Sequence, residues 1–217
     1  MNIKILYEDP NILAIDKLSG ILAHPDKRSE EKTIFDLFVK KYPKLEIVHR
    51  LDRDTSGVML LAKNKKAHEF LKKQFSSREI KKIYHAIVSG SIKNDHGIIN
   101  KPIGRSPTDF RRRLAGRGAR GELREAITEY KVLKHFKNFS YLEIKPKTGR
   151  THQIRVHMKY INHPIICDLL YNPSGLCPKD ISRMALHAKS IEFKNLKNKT
   201  TKVESPLPKE FKKMLKS

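Results

Sequence analysis

One carboxylate, Asp52, lies between Arg50 and Arg53 in the stretch His49-Arg50-Leu51-Asp52-Arg53-Asp54-Thr55-Ser56-Gly57, just ahead of the apolar run Val58-Met59-Leu60-Leu61-Ala62. An acid flanked by arginines at the end of a buried strand is a catalytic group held on rigid structure. The plainer reading of a lone aspartate in such a turn is a local backbone hydrogen bond of the Asx type. Asp54 reads as a turn or charge partner. A second candidate, Tyr84 in Lys81-Lys82-Ile83-Tyr84-His85-Ala86, falls on a strand pattern, where a tyrosine ordinarily packs. The densest cluster is Lys147-Thr148-Gly149-Arg150-Thr151-His152-Gln153-Ile154-Arg155-Val156-His157. His152 and His157 invite a metal reading, but they are five residues apart, off one helix face, with no carboxylate beside them. Structural packing or RNA contact is the expectation for both, and no metal site is expected.

These groups must be positioned by the elements around them. Two strand-like runs, Ile3 to Tyr7 and Ile12 to Ile15, are joined by Asp9-Pro10-Asn11 and closed by Lys17-Leu18-Ser19-Gly20. A helix capped by Thr33 puts Ile34, Leu37 and Phe38 on one face and stops at Pro43. The Asp52 turn runs into a buried strand from Gly57 to Ala62. An amphipathic helix follows, with Ala67, Phe70, Leu71 and Phe75 inward and Lys65, Lys66, Lys72 and Lys73 largely outward. Ile83 to Val88, Ile127 to Leu133, Tyr141 to Ile144 and Ser190 to Phe193 read as strands, and helices are expected from near Thr151 to Pro164 and over Lys209 to Leu215. Between them, residues 104–125 carry Arg105, Arg111, Arg112, Arg113, Arg117, Arg120 and Arg124 with four glycines, and read as a mobile basic loop. Strands outnumber helices and several have hairpin-length connections. The expected class is α+β, a mixed, mainly antiparallel sheet flanked by helices, in a single domain over residues 1–217.

Composition narrows the partners. The chain has 217 residues with 46 Lys+Arg against 23 Asp+Glu, a formal net charge of +23, and only 38% hydrophobic residues. Such a charge attracts a polyanion, and phosphate neutralisation is the sequence-independent part of nucleic-acid affinity. Cys167 and Cys177 form no CxxC pair and are expected as buried or idle thiols in a reducing compartment. No signal-peptide layout opens the chain and no apolar run approaches the ~20 residues that span a bilayer, so a cytoplasmic protein is expected.

Three motifs carry a resemblance to a known family. The Asp52 stretch resembles the HRLDxxTSG signature of the RluA family of RNA pseudouridine synthases, and Lys81 to Ala86 resembles that family's second motif of basic residues, Tyr and Ala. The segment around Arg150 is similar to its TGRxHQxRxH motif. Matching stretches run to about His187, and His49 favours the RluA group over its RsuA relatives. Leu18, Asn162 and Cys167 depart from the family pattern, and no S4-type RNA-binding module is expected ahead of the catalytic part.

The resemblance implies a pseudouridine synthase fold with a central catalytic cleft and an isomerisation of uridine in rRNA or tRNA that needs no cofactor. It implies that Asp52 is the nucleophile, that Tyr84 stacks on the extracted uracil and can move its C5 proton, and that Arg150 pairs with Asp52 and keeps it ionised. Leu186 is implied to pack against the uracil and Arg50 to fill the gap left by the flipped base, with His49 alongside. Arg111, Arg112, Arg113 and Arg155 are expected to contact RNA, in a monomer. Two rivals differ in class: a basic RNA-binding or ribosome-assembly protein with an inactive pocket, and an RNA-cleaving acid–histidine pair, for which no pattern is visible.

Overall fold

The structure, a computed structural model, describes residues 3–25, 31–175, 177–179 and 181–216. The elements in chain order are β1 (Ile5–Glu8), β2 (Ile12–Lys17), α1 (Ile34–Val39), β3 (Glu46–Ile47), β4 (Ser56–Ala62), α2 (Lys65–Ser76), β5 (Lys81–Ser89), β6 (His96–Asn100), β7 (Ile103–Arg105), β8 (Arg113–Ala115), β9 (Arg120–Arg124), β10 (Ile127–His135), β11 (Phe139–Pro146), α3 (Gln153–Tyr160), β12 (Leu186–Lys194), β13 (Thr200–Glu204) and α4 (Lys209–Met214). This is the α+β, mainly antiparallel architecture expected of the sequence. The residues group into two compact units, Met1–Lys82 with Ala188–Pro206, and Ile83–His187 with Leu207–Ser217.

In the first unit β1 pairs antiparallel with β2, β2 with β4, and β12 with β13, while the short β3 also pairs with β4. Asp9 closes the β1–β2 turn by accepting from the backbone N–H groups of Asn11 and Ile12, both at 2.7 Å. Every residue of β4 is buried, which is why that run is apolar without alternation. Thr33 caps α1 in a reciprocal box with Asp36, and Asn64 caps α2 by accepting from Ala67 N–H. The core joins Ile12, Ala14, Val58 and Leu60 of the sheet to Ala67 and Leu71 of α2 and to Ile191 and Phe193 of β12.

In the second unit the strand order is β5-β11-β10-β6, all antiparallel, over a core that includes Ala86, Leu142, Ile144, Met158, Leu186 and Phe211. The segment 104–125 is not an irregular loop. It builds a three-stranded sheet of order β8-β7-β9. Glycines 116, 118 and 121, all at positive φ, shape its turns. Ile103 of β7 joins Ala126, Val156 and Tyr171 in a small apolar cluster, while every residue of β9 is exposed. Backbone pairing plus an anchored central strand orders a segment whose own side chains are too polar to form a core. Cys167 and Cys177, expected as separate thiols, are joined in a disulfide with Cα atoms 4.9 Å apart, inside the range a bridge requires.

Candidate active site

The Asp52 turn belongs to the first unit and is built on a buried lysine. Lys17, at the end of β2, is fully buried, and its ammonium donates to the carbonyls of Leu18, Arg53 and Thr55 at 3.0, 2.8 and 2.8 Å. An ammonium taken out of water must find acceptors for its protons, and here two of them are carbonyls of the catalytic-candidate turn. Thr55 N–H donates to Asp52 O at 3.1 Å, Gly20 N–H to Arg53 O at 2.9 Å, and Ser19 Oγ to Asp54 O at 2.7 Å. The partly buried Asp52 is therefore carried by a turn whose backbone is fastened to the Lys17–Gly20 turn. Downstream, Gly57 has φ +109, and a Cβ there would lie 2.8 Å from the carbonyl carbon of Ala188 as well as against its oxygen. Only glycine lets β4 begin so close to β12.

His49, expected at the substrate, has its acceptor nitrogen committed elsewhere: Nε2 accepts from Leu60 N–H at 2.9 Å, and the ring lies 4.7 Å from that of Phe75. Burial, helped by the nearby charge of Lys82, pushes its pKa down to about 3, so it is a neutral brace on β4. Arg50 is exposed and Leu51 is buried.

The remaining candidates belong to the second unit. Tyr84 stands on β5 opposite Ile144 of β11 and packs against the core that contains the buried Leu186. Arg150 sits on the turn between β11 and α3, and Gln153 holds that turn from inside. The Gln153 Oε1 accepts from Thr148 Oγ1 at 2.7 Å and from Arg150 N–H at 3.0 Å, while its Nε2 donates to Ile127 O at 3.0 Å and Thr128 Oγ1 at 2.9 Å. All four capacities of a buried amide are used, which fixes the turn as rigidly as backbone pairing would. The Arg150 guanidinium is partly exposed and donates through Nε to Glu125 O at 2.9 Å.

Arg155 differs from its expected role. It points inward, only 7% exposed, and donates through Nε and an Nη to the two oxygens of Asp168 at 2.7 and 2.8 Å. Asp168 is wholly buried, so this is an internal fork-to-fork ion pair and not an RNA-facing cation. His157 is equally internal, between Thr128 Oγ1 at 2.8 Å and Lys101 O at 3.0 Å, and the half-buried His152 meets Tyr171 at 2.9 Å. Among Arg111, Arg112 and Arg113, the first is exposed and the others half-buried beside β8. Asp109 binds Arg111 through both carboxyl oxygens at 3.1 and 2.9 Å, which holds its own pKa near 2. Arg105, Arg117 and Arg120 are exposed on the same three-stranded sheet.

Sequence reasoning passed over Lys17, Gln153, Asp168 and Tyr171. Lys17 had a signal, a single cation closing the apolar run Ile12 to Ile15, whereas nothing local marks Asp168 as the partner of a residue in another element. Among the described residues no group of three His, Cys, Asp or Glu side chains could hold a metal ion, and no helix is long and apolar enough to cross a membrane.

A family model described as RNA pseudouridylate synthase matches residues 11–160. The chain is 39% identical over 220 residues to a ribosomal large subunit pseudouridine synthase D of Borreliella burgdorferi, covering 96% of this chain and 66% of that protein. It is 36% identical over 229 residues to the protein of the same name in Pseudomonas aeruginosa, covering 97% and 70%. The chain thus spans about two thirds of the length of these curated relatives. Among solved structures, human RNA pseudouridylate synthase domain containing 1 matches with a TM-score of 0.81 at 28% identity, covering 95% of this chain and 84% of that one.

Proposed function

The chain belongs to the RNA pseudouridylate synthase family, a family of isomerases, and on that premise we propose that it converts uridine in structured RNA to pseudouridine with Asp52 as the nucleophile. The observation that carries the reading is the buried Lys17 ammonium gripping the backbone on both sides of Asp54, which presents Asp52 from a turn that cannot drift. A protein that only bound RNA would have no use for a carboxylate mounted in this way. Large-subunit rRNA is the proposed substrate class, because the curated relatives are named for it, and a cytoplasmic setting follows from that substrate.

In the proposed course, electrostatic capture by the arginines of β7–β9 precedes flipping of one uridine out of its stack. Asp52 then takes part in breaking the bond between N1 and C1′, the freed uracil turns, C5 joins C1′, and the C5 proton leaves as N1 takes one up. Atoms and electrons balance without an external reagent. Tyr84 takes the stacking role that the resemblance implies, its ring replacing the neighbours the base loses, and Arg150 supplies the cation that keeps the carboxylate ionised. Arg50 and Leu186 are proposed to line the uridine site, and the whole chain to work as one catalytic domain.

Pseudouridine mapping of rRNA and tRNA tests the reading. RNA from cells lacking the gene would be treated with wild-type protein or with Asp52→Asn. A site gained with wild type alone is the expected result. A site gained equally with both would remove Asp52 from the mechanism, and RNA binding without any new site would turn the protein into an inactive binder.

A further inference from the structure

We infer that Tyr171 is a positioning residue that ties the arginine-bearing sheet β7–β9 to the turn carrying Arg150, so that RNA held by the first is placed in register with the second. The tie is a single phenol oxygen. It accepts from the backbone N–H of Arg113 at 2.8 Å and bonds to His152 Nδ1 at 2.9 Å. The oxygen accepts from Arg113, and in the assignment we propose its one hydrogen goes to the imidazole Nδ1, so that His152 carries its own hydrogen on Nε2. The two rings meet edge to face, with centroids 5.6 Å apart.

Both ends of this bridge matter to the proposed chemistry. On one side, Arg113 opens β8, directly after Arg111 and Arg112, and its guanidinium donates to the carbonyls of Phe110 and Arg112 at 3.1 and 3.0 Å. The basic turn is thereby a shaped object whose main chain is held by the phenol. On the other side, His152 stands between Arg150 and Gln153 in the left-handed region, φ 57 and ψ 16. A residue with a side chain is strained there and keeps that conformation only where its surroundings impose it. Tyr171 bonds the side chain of this residue, and the backbone there leads into the Gln153-locked Arg150 turn.

Tyr171 cannot swing away to relieve the strain. The side chain is buried, its N–H donates to Asp168 Oδ1 at 3.0 Å, and its ring lies 4.9 Å from the guanidinium carbon of Arg155, the partner of that same Asp168. The Cys167–Cys177 bridge closes the segment containing both Asp168 and Tyr171. The phenol oxygen is therefore a fixed point to which the basic sheet and a residue of the Arg150 turn in left-handed conformation are both referred.

The inference rests on the reading that Arg150 acts in the isomerisation, and Tyr171→Phe tests it by removing one oxygen while keeping the ring under Arg155. Tritium release from a large-subunit rRNA transcript labelled at uridine C5 gives kcat and KM, and filter binding of the same transcript gives Kd. The expected result is a kcat lower by about 10- to 100-fold, the loss typical of a small misplacement remote from the reacting atoms, with Kd unchanged within about twofold. His152→Ala should lose a similar factor, and the double variant should lose no more than either. A Tyr171→Phe enzyme with kcat within about twofold of wild type, or effects that multiply in the double variant, would overturn the inference. Imidazole 15N shifts read the tie without reference to activity: His152 should be held as the Nε2–H tautomer in wild type and released in Tyr171→Phe, and the same tautomer signature in both proteins would overturn it too. A wild-type protein that releases no tritium would instead sink the isomerase reading, and the tie would then stand or fall on the tautomer alone.

Discussion

Asp168→Asn should be among the most destabilising isosteric changes in this chain. The wild-type carboxylate, 0% exposed, accepts from Arg155 Nε and Nη at 2.7 and 2.8 Å, and its Oδ1 also accepts from the N–H groups of Leu170 and Tyr171, both at 3.0 Å. An amide in that place turns one acceptor into a donor facing the guanidinium and leaves the Arg155 charge buried without its counter-charge. Stranding one member of a buried pair costs about 3–5 kcal/mol. At about 2–4 °C per kcal/mol for a chain of this size, the melting temperature should fall by about 6–20 °C. Calorimetry and urea unfolding at 0.1 M and ~1 M salt would measure it, and the loss should be nearly the same at both, because a buried pair is poorly screened. Removing both charges in Arg155→Met/Asp168→Leu should cost far less than Asp168→Asn. A loss under about 1 kcal/mol for Asp168→Asn, the range of an exposed pair, would refute the reasoning.

Lys17→Met should lower kcat by about tenfold or more at unchanged RNA affinity, because the Asp52 turn loses its anchor; an equal loss in binding would show that Lys17 serves RNA directly. Gly57→Ala forces a left-handed φ on alanine and drives its Cβ into Ala188, so a loss of about 3 kcal/mol or more is expected in urea unfolding, and a neutral variant would contradict the close approach of β4 to β12. His49 has a folded pKa near 3 against an ordinary 6.5, so the unfolded chain takes up a proton that the folded one refuses as pH falls below 6.5. Stability should decline in that window by up to about 1.4 kcal/mol per pH unit from this group, and His49→Gln, which keeps an acceptor for Leu60 N–H, should flatten the slope. Replacing Arg111, Arg112 and Arg113 with alanine should reduce the slope of log Kd against log salt by up to about two to three units, and an unchanged slope would take that turn off the RNA.

The parts of this chain that sequence reasoning reached are those whose signal is local. The unbroken apolar run makes β4 legible as a buried strand, the helical repeat places Ala67 and Leu71 inward on α2, and Thr33 ahead of Ile34, Leu37 and Phe38 marks the start of α1. The β7–β9 sheet was invisible because its ordering contacts are remote: Ile103 rests on Tyr171, and Arg113 is held by that tyrosine from 58 residues away. Arg155 shares a segment and a chemistry with Arg150, which gives it the look of an RNA contact. Its fate is decided by Asp168, which sequence spacing cannot rank above any other acid. The disulfide belongs to the same class of error, since two cysteines ten residues apart carry no sign of pairing until the backbone between them turns back.

Most of the segment from Thr148 to His157 works on the protein itself, and the direction of its hydrogen bonds can be followed to the end. Lys101 O can only accept, so the proton of His157 lies on Nε2, and its bare Nδ1 must accept from the Thr128 hydroxyl. Thr128 in turn accepts from Gln153 Nε2, which leaves Gln153 Oε1 facing the Thr148 hydroxyl and the N–H of Arg150. Each bond fixes the next, and a proton added to His157 at Nδ1 would reverse the bond with Thr128. Burial of the ring pushes its pKa below the ordinary histidine value, which keeps the chain running one way at neutral pH. An isomerisation of the proposed kind draws on orientation and charge, and both lose their value if the groups must reorganise at the moment of bond breaking. On the proposed assignment, a buried, unidirectional network behind Arg150 is what such an enzyme needs from residues that never meet the base.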